Sequence, residues 1–428
     1  MSYVAVIGRI KVRPHPNADR LLLGNCLGNQ VIVGLDTKEG AIGCYFPTDG
    51  QLSDRMCQEN NLYTVSARAR LGLQEAPAGG TGFFDHNRRV RCQRFRQERS
   101  DGLWMPLESL TWTGIDLSKL KEGDTFTELG GYEVCRKYYT PATLRVIGSK
   151  KAGRREARCF PKHEDTKQFR FVADTIPEGS IIYITEKLHG TSGRVGFVWD
   201  ETPLRGWRRL LAYYAGKRPV QAGWTYLNGS KNVILEKTVG AGWYGTNDFR
   251  YNVVQGLDGK LQKGEVLYFE IVGWVRDGTP IMPPHDVTKT GLSDIKAQYG
   301  NQMHYTYGCP NGTCRMYVYK IVNVNVDGVA RELPWTQVVA RCHELEVNHV
   351  PLLVGPYIME DAARLRSVVE TNTEGPSTLD ATQIREGVVV RAESSQGISY
   401  AKSKQFAFGV MEGYLAENEA FVDPEEVS

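Results

Sequence analysis

The chain has 428 residues, of which 41% are hydrophobic and 24% are charged. This composition is typical of a globular protein with room for two domains, and no run reaches the ~18 apolar residues that a membrane span needs. The net charge is only +3, so affinity for a polyanion cannot be read from the total charge and would have to come from local basic clusters.

The cysteines and the amino terminus indicate a cytoplasmic protein. The nine cysteines are an odd number, and their positions lack the spacing of a disulfide scaffold. The first residues, MSYVAVIGRIKVRPHP, lack the apolar core and the small-residue cleavage site of a signal peptide. We therefore expect a protein of the cytoplasm with no membrane association, and no pattern calls for an obligate protein partner.

Residues 1–107 predict a small β-barrel. The apolar runs in this region are short and end at Gly, Pro, Asn or Asp; they are VAVIGRIKV, LLLGNCLG, NQVIVGL and AIGCYFP. Closely spaced short strands without long helical periodicity are typical of a small closed barrel.

Two segments of this region resemble the OB-fold tRNA-binding module that is attached to several aminoacyl-tRNA synthetases. They are the turn PHPNADRL at residues 14–21 and the run from Arg91 to Leu107. OB barrels bind single strands through a basic groove with stacking aromatic residues. Arg94, Arg96 and Trp104 have this chemical character, and we expect Arg94 and Arg96 to contact nucleic acid. The alternative is an ordinary solvated face.

The rest of the chain predicts a connector and a second domain. Residues 108–175 are mixed and polar, and we interpret them as a connector that leads into a domain at residues 176–428. In that domain, strands alternate with helical patterns at 335–347 and 360–370. Because few helices are available for crossovers, the strands should be antiparallel. The expected fold is α+β, with an OB-like β-barrel followed by antiparallel sheets with flanking helices.

The segment TEKLHGTS at residues 185–192 carries the central lysine, Lys187, at the end of an apolar strand. Gly190 follows in a turn that lets backbone approach a ligand closely. Taken alone, a lysine beside a glycine turn is usually a solvated charge. The functional interpretation of Lys187 is supported by residues that follow it in the chain. Two acids, Glu270 and Glu386, lie on or just before apolar strands. Two tyrosines, Tyr317 and Tyr319, alternate on one strand, and two lysines, Lys402 and Lys404, lie on the same side of another.

This ordered set resembles the covalent nucleotidyltransferase superfamily of ATP-dependent DNA ligases, RNA ligases and mRNA capping enzymes. His189 stands where DNA ligases and capping enzymes typically carry Asp, and in this respect EKLHGTS resembles the RNA ligase 2-type branch. A barrel ahead of such a domain is similar to RNA ligases with an amino-terminal OB domain. The resemblance implies an ATP-dependent RNA ligase that needs Mg²⁺ or Mn²⁺, joins 3′-OH and 5′-phosphate ends, and serves RNA repair.

The resemblance also implies a role for each residue. Lys187 would become lysyl-AMP, while Glu186 would meet the adenine amino group and Tyr317 would stack on the ring. Glu270 and Glu386 would hold the metal ion, directly or through water. The nucleotide's ribose and phosphates would be bound by His189, Gly190, Lys231, Lys402 and Lys404. Lys231 replaces an Arg that is usual in the family, and Ser192 replaces an Asn that contacts the RNA end in part of the family.

The chemistry of an amine nucleophile supports this set. A lysine is protonated in water and cannot attack phosphorus until it loses the proton. Lys402, Lys404 and a bound metal ion would each lower the pKa of Lys187, and the same cations would offset charge on the α-phosphate.

Three alternatives are less consistent with the sequence. A DNA ligase-like nick-sealing enzyme or a capping enzyme normally has an OB domain after the last lysine pair, whereas only residues 405–428 follow here. A non-catalytic RNA- or tRNA-binding protein with a degenerate domain should have lost a lysine or an acid, and all are present. A zinc clip at Cys309 and Cys314 departs from the common spacing, and no zinc is expected. A nicked duplex and tRNA both remain open as the RNA substrate.

Overall fold

A computed structural model describes residues 3–74, 82–149, 156–204, 206–216, 220–235 and 249–415. These residues form two compact units. The first comprises residues 3–140, 287–293 and 406–415, and the second comprises the described parts of 141–286 and 294–405. Both contain antiparallel sheets with short helices, which confirms the α+β class.

The first unit is built from short strands. They are β1 (Ala5–Pro14), β2 (Leu21–Cys26), β3 (Asn29–Gly34), β4 (Ile42–Phe46), β5 (Gly50–Leu52), β6 (Arg89–Val90), β7 (Cys92–Phe95), β8 (Glu98–Asp101), β9 (Leu103–Pro106), β10 (Thr125–Phe126), β11 (Glu128–Leu129), β12 (Tyr132–Glu133) and β13 (Cys135–Lys137). The main sheet has the order β3-β2-β1-β4-β9 with β10 on β1, and smaller sheets are β13-β5-β6, β7-β8 and β11-β12. Helices or 3₁₀ turns are Asp54–Glu59, Val65–Arg70, Leu107–Thr113, Leu117–Lys119 and Phe406–Leu415.

The main sheet of this unit curls into a half-barrel. Its edge strand β3 approaches β8, where the backbone N–H of Ile32 donates to the Ser100 hydroxyl at 3.3 Å. Ile7 on β1 and Phe46 on β4 are fully buried in the core of this unit. Residues 108–140 lie in the same unit, because Leu110 and Val134 are buried in its core. Residues 150–155 of the expected connector lie outside the described residues.

The second unit contains two larger sheets. Its strands are β14 (Lys167–Gln168), β15 (Ile181–Lys187), β16 (Thr191–Pro203), β17 (Val220–Ser230), β18 (Ile234–Leu235), β19 (Glu265–Arg276), β20 (Thr279–Pro280), β21 (His285–Asp286), β22 (Gln302–Met303), β23 (Cys314–Val324), β24 (Ala330–Glu332), β25 (Asn348–His349), β26 (Leu352–Ile358), β27 (Gly387–Ser394) and β28 (Gly397–Lys404). One sheet has the order β14-β28-β27-β15-β26. The other has the order β18-β17-β16-β19-β23-β24, with β20 on β19 and β25 on β23.

Helices pack against these sheets. The two longest are Trp335–Leu345 and Ala362–Thr373, which confirms both predicted helical patterns. The first buries Trp335, Val338, Cys342 and Leu345, the 3–4 spacing expected of an amphipathic helix. The others are Pro141–Ser149, Phe169–Val172, Ala173–Thr175, Trp207–Tyr214, Phe249–Asn252, Gln255–Leu257 and Ser293–Tyr299. Among the described residues, no helix has the length and apolar character needed to cross a bilayer.

Candidate active site

A cavity of about 430 Å³ in the second unit is lined by strands of both sheets. From the residues predicted to form the site, its wall includes Glu186, Lys187, Ser192, Lys231, Glu270 and Lys402. Residues that are more than two hundred positions apart in the chain therefore meet around one space. A cavity with this mixture of acids and lysines is suited to a charged, phosphate-bearing ligand.

One row of residues crosses the five-stranded sheet at Lys187. Lys187 on β15 lies opposite Gly387 on β27, and Gly387 lies opposite Lys404 on β28. Gly387 has φ 153°, and a Cβ there would lie 2.1 Å from the Ser403 carbonyl oxygen. Glycine is thus required directly after Glu386, because any side chain would force β28 away and move the acid.

Glu386 gathers the positive groups of this row. Its carboxylate lies 2.7 Å from Nζ of Lys187, 3.5 Å from Nζ of Lys404 and 3.9 Å from Nδ1 of His189. The Glu386 side chain is only 2% exposed and that of Lys187 is 18% exposed. Charges this deep in a protein are tolerated only when they are paired. A lysine ammonium in such an ion pair must lose its proton before the amine can act as a nucleophile.

A second row crosses the eight-stranded sheet. Ser192 on β16 lies opposite Glu270 on β19, and Glu270 lies opposite Tyr317 on β23. The Ser192 hydroxyl donates to Oε2 of Glu270 at 3.0 Å. Gly190, just before β16, lies against the backbone of β19, and a Cβ on it would lie 2.3 Å from the Ile271 carbonyl oxygen. The glycine of the KLHG segment therefore allows β19 to pass close to the turn that follows the lysine.

The two tyrosines of β23 take different positions. Tyr317 is 5% exposed, and its burial raises the pKa of its hydroxyl. Tyr319 borders the cavity, with its ring 5.5 Å from the His163 imidazole. A register shift between Tyr268 and Phe269 of β19 interrupts the simple alternation that the sequence suggested. The stacking role of Tyr317 remains a prediction.

Glu186 lies beside Lys187 and is 1% exposed. Its Oε2 accepts two hydrogen bonds from Thr378, one from the backbone N–H at 2.9 Å and one from the hydroxyl at 2.6 Å. Its Oε1 is buried and has no hydrogen-bond partner among the described residues. A buried acceptor in this condition is costly unless a ligand supplies a donor.

His189 lies behind the cavity wall. It is 5% exposed, and its backbone N–H donates to the Tyr307 hydroxyl at 2.6 Å. Its ring packs at 5.3 Å from that of His285, whose pKa is lowered well below the usual value by burial. These buried rings fix the backbone between Lys187 and Gly190, which turns from one sheet into the other.

The segment at residues 160–169 was missed as part of the site by sequence reasoning. His163, Glu164, Asp165 and Lys167 line the cavity. Asp165 forms an ion pair with Lys231, in which Oδ1 lies 2.9 Å from Nζ. The available signal was the density of charged residues in FPKHEDTKQF just before the strand that ends at Lys187.

The carboxylates suit a hard divalent ion. Groups of three or more His, Cys, Asp or Glu side chains placed for a metal are not found among the described residues. Glu270 and Glu386 offer oxygen ligands alone, which fits magnesium or manganese completed by water and ligand phosphates. The same pair does not fit a closed zinc site.

Arg94 and Arg96 lie in the first unit, on the β7–β8 hairpin. Both side chains are exposed, and Arg96 is in the turn with φ 49°. The PHPNADRL turn packs on this hairpin, because the Asn17 amide donates to the Arg96 carbonyl at 3.0 Å. Trp104, which has the chemical character of a stacking residue, is 4% exposed and belongs to the core.

Comparison with known proteins gives a consistent result. The chain matches solved structures of a Naegleria gruberi RNA ligase: a mutant apo form with TM-score 0.58 and 17% identity, covering 96% of this chain and 98% of that chain. The form with PPi has TM-score 0.59 and 18% identity and covers 97% and 99%. A mutant with ATP and Mn has TM-score 0.56 and 18% identity and covers 98% and 99%. These likenesses concern the fold.

A search of curated proteins finds no match. The family described as RNA ligase matches residues 180–407, which is more than half of the chain and contains Lys187, both carboxylates and the lysine pair. The chain belongs to the RNA ligase family.

Proposed function

We propose that this protein joins RNA 3′-OH and 5′-phosphate ends in an ATP-dependent reaction that runs through lysyl-AMP and an adenylated RNA end. The observation that carries the proposal is the Lys187 amine in the cavity wall, 2.7 Å from the buried carboxylate of Glu386. The related Naegleria gruberi ligase has been solved with ATP and Mn and with AMP and Mn, and this supports ATP and a divalent ion as cofactors here.

The reaction begins at the lysine. The Lys187 nitrogen gives up a proton to solvent and attacks the α-phosphorus of ATP; a P–N bond forms, the bond to the β-phosphate oxygen breaks, and pyrophosphate leaves. Lys402 in the wall and Lys404 beside Glu386 offset the charge that grows on the phosphate oxygens. Glu270 and Glu386 would hold the divalent ion, which when bound polarises the phosphoryl group.

Two further displacements complete the reaction. An oxygen of the RNA 5′-phosphate attacks the lysyl-AMP phosphorus, the P–N bond breaks, and the amine takes up a proton. The RNA 3′-hydroxyl then attacks the activated 5′-phosphorus in line and loses its proton to solvent, so that a phosphodiester forms and AMP departs. Glu386 is placed to take the ammonium back as its partner after the transfer.

We assign the nucleotide contacts to residues in the cavity wall and directly behind it. Glu186 is proposed to meet the adenine amino group, and Tyr317 to stack on the ring. Lys231, His189 and Gly190 are proposed to lie along the ribose and phosphates, and Ser192 to meet the RNA end. In the first unit, Arg94 and Arg96 are proposed to bind RNA.

We further infer that the protein works in RNA repair in the cytoplasm. Its nine cysteines are all free thiols, as a reducing compartment favours. Nicked duplexes and cleaved tRNA are the substrates to compare. A comparison of nicks that carry RNA or DNA on each side distinguishes an RNA ligase from a DNA ligase-like enzyme.

The decisive test is self-labelling with α-labelled ATP and manganese. The wild-type protein should become labelled, and Lys187→Ala should lose at least about a thousandfold of the labelling rate because the nucleophile is gone. Lys187→Ala should still seal a pre-adenylated RNA strand. Lys260→Ala is the control. Nζ of Lys260 lies 3.6 Å from the carboxylate of Glu346, and neither residue lines the cavity, so this substitution should not affect labelling.

Several outcomes would overturn the proposal. A wild-type protein that takes no label from ATP is a binding protein instead. Label from GTP rather than ATP indicates capping chemistry. A folded Lys187→Ala variant that cannot seal the pre-adenylated strand shows that the lysine has a different role.

A further inference from the structure

The two oxygens of the Glu186 carboxylate are in different situations. Oε2 receives both donors of Thr378, at 2.9 Å and 2.6 Å, whereas Oε1 is buried with no hydrogen-bond partner among the described residues. The side chain is 1% exposed and lies in the wall of the cavity. With Oε2 occupied by Thr378, Oε1 is the carboxylate oxygen left to accept a hydrogen bond from a ligand.

Thr378 is held by a braced loop between the helix Ala362–Thr373 and β27. Arg385 ties the loop together by donating to the carbonyl oxygens of Pro376 and Asn372. The loop is closed by a β-bridge between Pro376 and Ile384. Because its backbone is fixed in this way, the Thr378 donors have a defined direction.

We propose that Thr378 is a specificity-determining positioning residue, which fixes Glu186 so that Oε1 alone accepts a hydrogen bond from the amino group of a 6-aminopurine nucleotide. This inference rests on the proposed function. Thr378 acts through Glu186 and does not itself touch the base.

The chemistry of purine bases gives this arrangement its selectivity. Adenine carries an amino group at its six position, which donates to Oε1. Hypoxanthine and guanine carry an oxygen there, which would face the carboxylate oxygen with no proton between them. A site built around one hydrogen bond to a buried acceptor rejects ligands that leave the acceptor unpaired.

Glu186→Gln tests the orientation directly. Both groups of Thr378 are donors, so they can pair only with the amide oxygen of the glutamine. The amide NH₂ then takes the place of Oε1 and faces the base as a donor. We expect labelling from ITP relative to ATP to rise at least about tenfold over the wild-type ratio. A mere loss of structure would lower both rates and leave their ratio unchanged.

Thr378→Val removes the hydroxyl with little change in shape and leaves the backbone donor. The ATP concentration for half-maximal labelling should rise about fivefold at an unchanged maximal rate, and the preference for ATP over ITP should fall. Thr378→Ser keeps the hydroxyl and should behave as wild type. Thr382→Val is the loop control, because its hydroxyl donates to Asp380 at 2.6 Å and not to Glu186.

The outcomes separate the two proposals. If wild-type protein is labelled by ATP but Glu186→Gln and folded Thr378→Val keep the wild-type ratio of ATP to ITP, the role of Thr378 is overturned and the ligase proposal stands. Equal effects of Thr378→Val and Thr382→Val would also overturn it, as they would indicate loop damage. A wild-type protein without label overturns both.

Discussion

The charges of the cavity and the charges of the β7–β8 hairpin are held in opposite ways. In the cavity, Lys187 is 18% exposed and pairs with a carboxylate that is 2% exposed. On the hairpin, Arg94 and Arg96 are exposed, and the guanidinium of Arg94 lies 5.8 Å from the Phe406 ring. A buried charge depends on one defined partner, so single changes should be severe. Exposed charges are screened and additive, so single changes should be mild.

Glu386→Gln is the strongest way to break this comparison. The amide keeps the shape of the side chain but cannot balance Lys187 and Lys404, and it gives up one metal ligand. We expect the rate of self-labelling to fall about a hundredfold or more, and the free energy of unfolding to fall by about 1–3 kcal/mol. Labelling kinetics and denaturant titration measure the two effects.

Glu265→Gln is the matched control for this change. Glu265 is also 2% exposed, and it pairs at 2.8 Å with Arg341, which, unlike Lys187, does not line the cavity. It should lose a similar free energy of unfolding and keep labelling within about twofold of wild type. If both variants lose labelling equally, the effect of Glu386→Gln is one of stability, and the buried pair has no special role.

The metal requirement gives predictions of intermediate size for the charges of the cavity. Chelation with EDTA should remove labelling. Glu270→Gln should raise the manganese concentration for half-maximal labelling by on the order of a hundredfold, because a neutral amide is a weaker ligand. Ser192→Ala, which removes the donor to Glu270 at 3.0 Å, should raise it about tenfold.

The control for Ser192 lies on the same strand. The Thr202 hydroxyl donates to Asp200 at 3.2 Å, and Thr202→Ala should leave the manganese dependence unchanged. A Glu270→Gln variant with the wild-type manganese dependence would exclude Glu270 as a ligand and leave the ion to Glu386 and the nucleotide.

The sequence predicted the cavity better than the hairpin for a physical reason. Lys187, Glu270 and Glu386 each stand at a strand end or within an apolar strand, where a charge requires an explanation. Sheet register then pairs Lys187 with Gly387, which brings the lysine to Glu386, and Lys187 and Glu270 meet in the wall of one cavity. The helix of residues 335–345 was equally visible, because its apolar spacing reports burial on one face.

Other features depend on contacts that no local pattern records. Thr378 is an ordinary loop residue until the fold carries it to Glu186, 192 positions away. Residues 108–140 look like a polar connector, yet Leu110 and Val134 reach the core of the first unit. Trp104 has the chemistry of a stacking residue, but only its burial decides that it packs inside.

The smallest expected effect is at the hairpin. Arg94→Ala with Arg96→Ala should leave self-labelling unchanged and reduce end joining about threefold to tenfold, because phosphate contacts are lost while the adenylation cavity is intact. The salt dependence of RNA binding should become shallower, by a slope of about one for each arginine that contacts a phosphate. Lys119→Ala with Arg136→Ala removes the same charge from side chains that are 81% and 53% exposed in the same unit, and should leave the slope near wild type. If both double variants change the slope equally, RNA binding depends only on the net charge of this unit, and the hairpin is an ordinary solvated face. If the hairpin variant also loses self-labelling, its charges are coupled to the chemistry as tightly as the buried pair. The contrast between the two regions then does not hold.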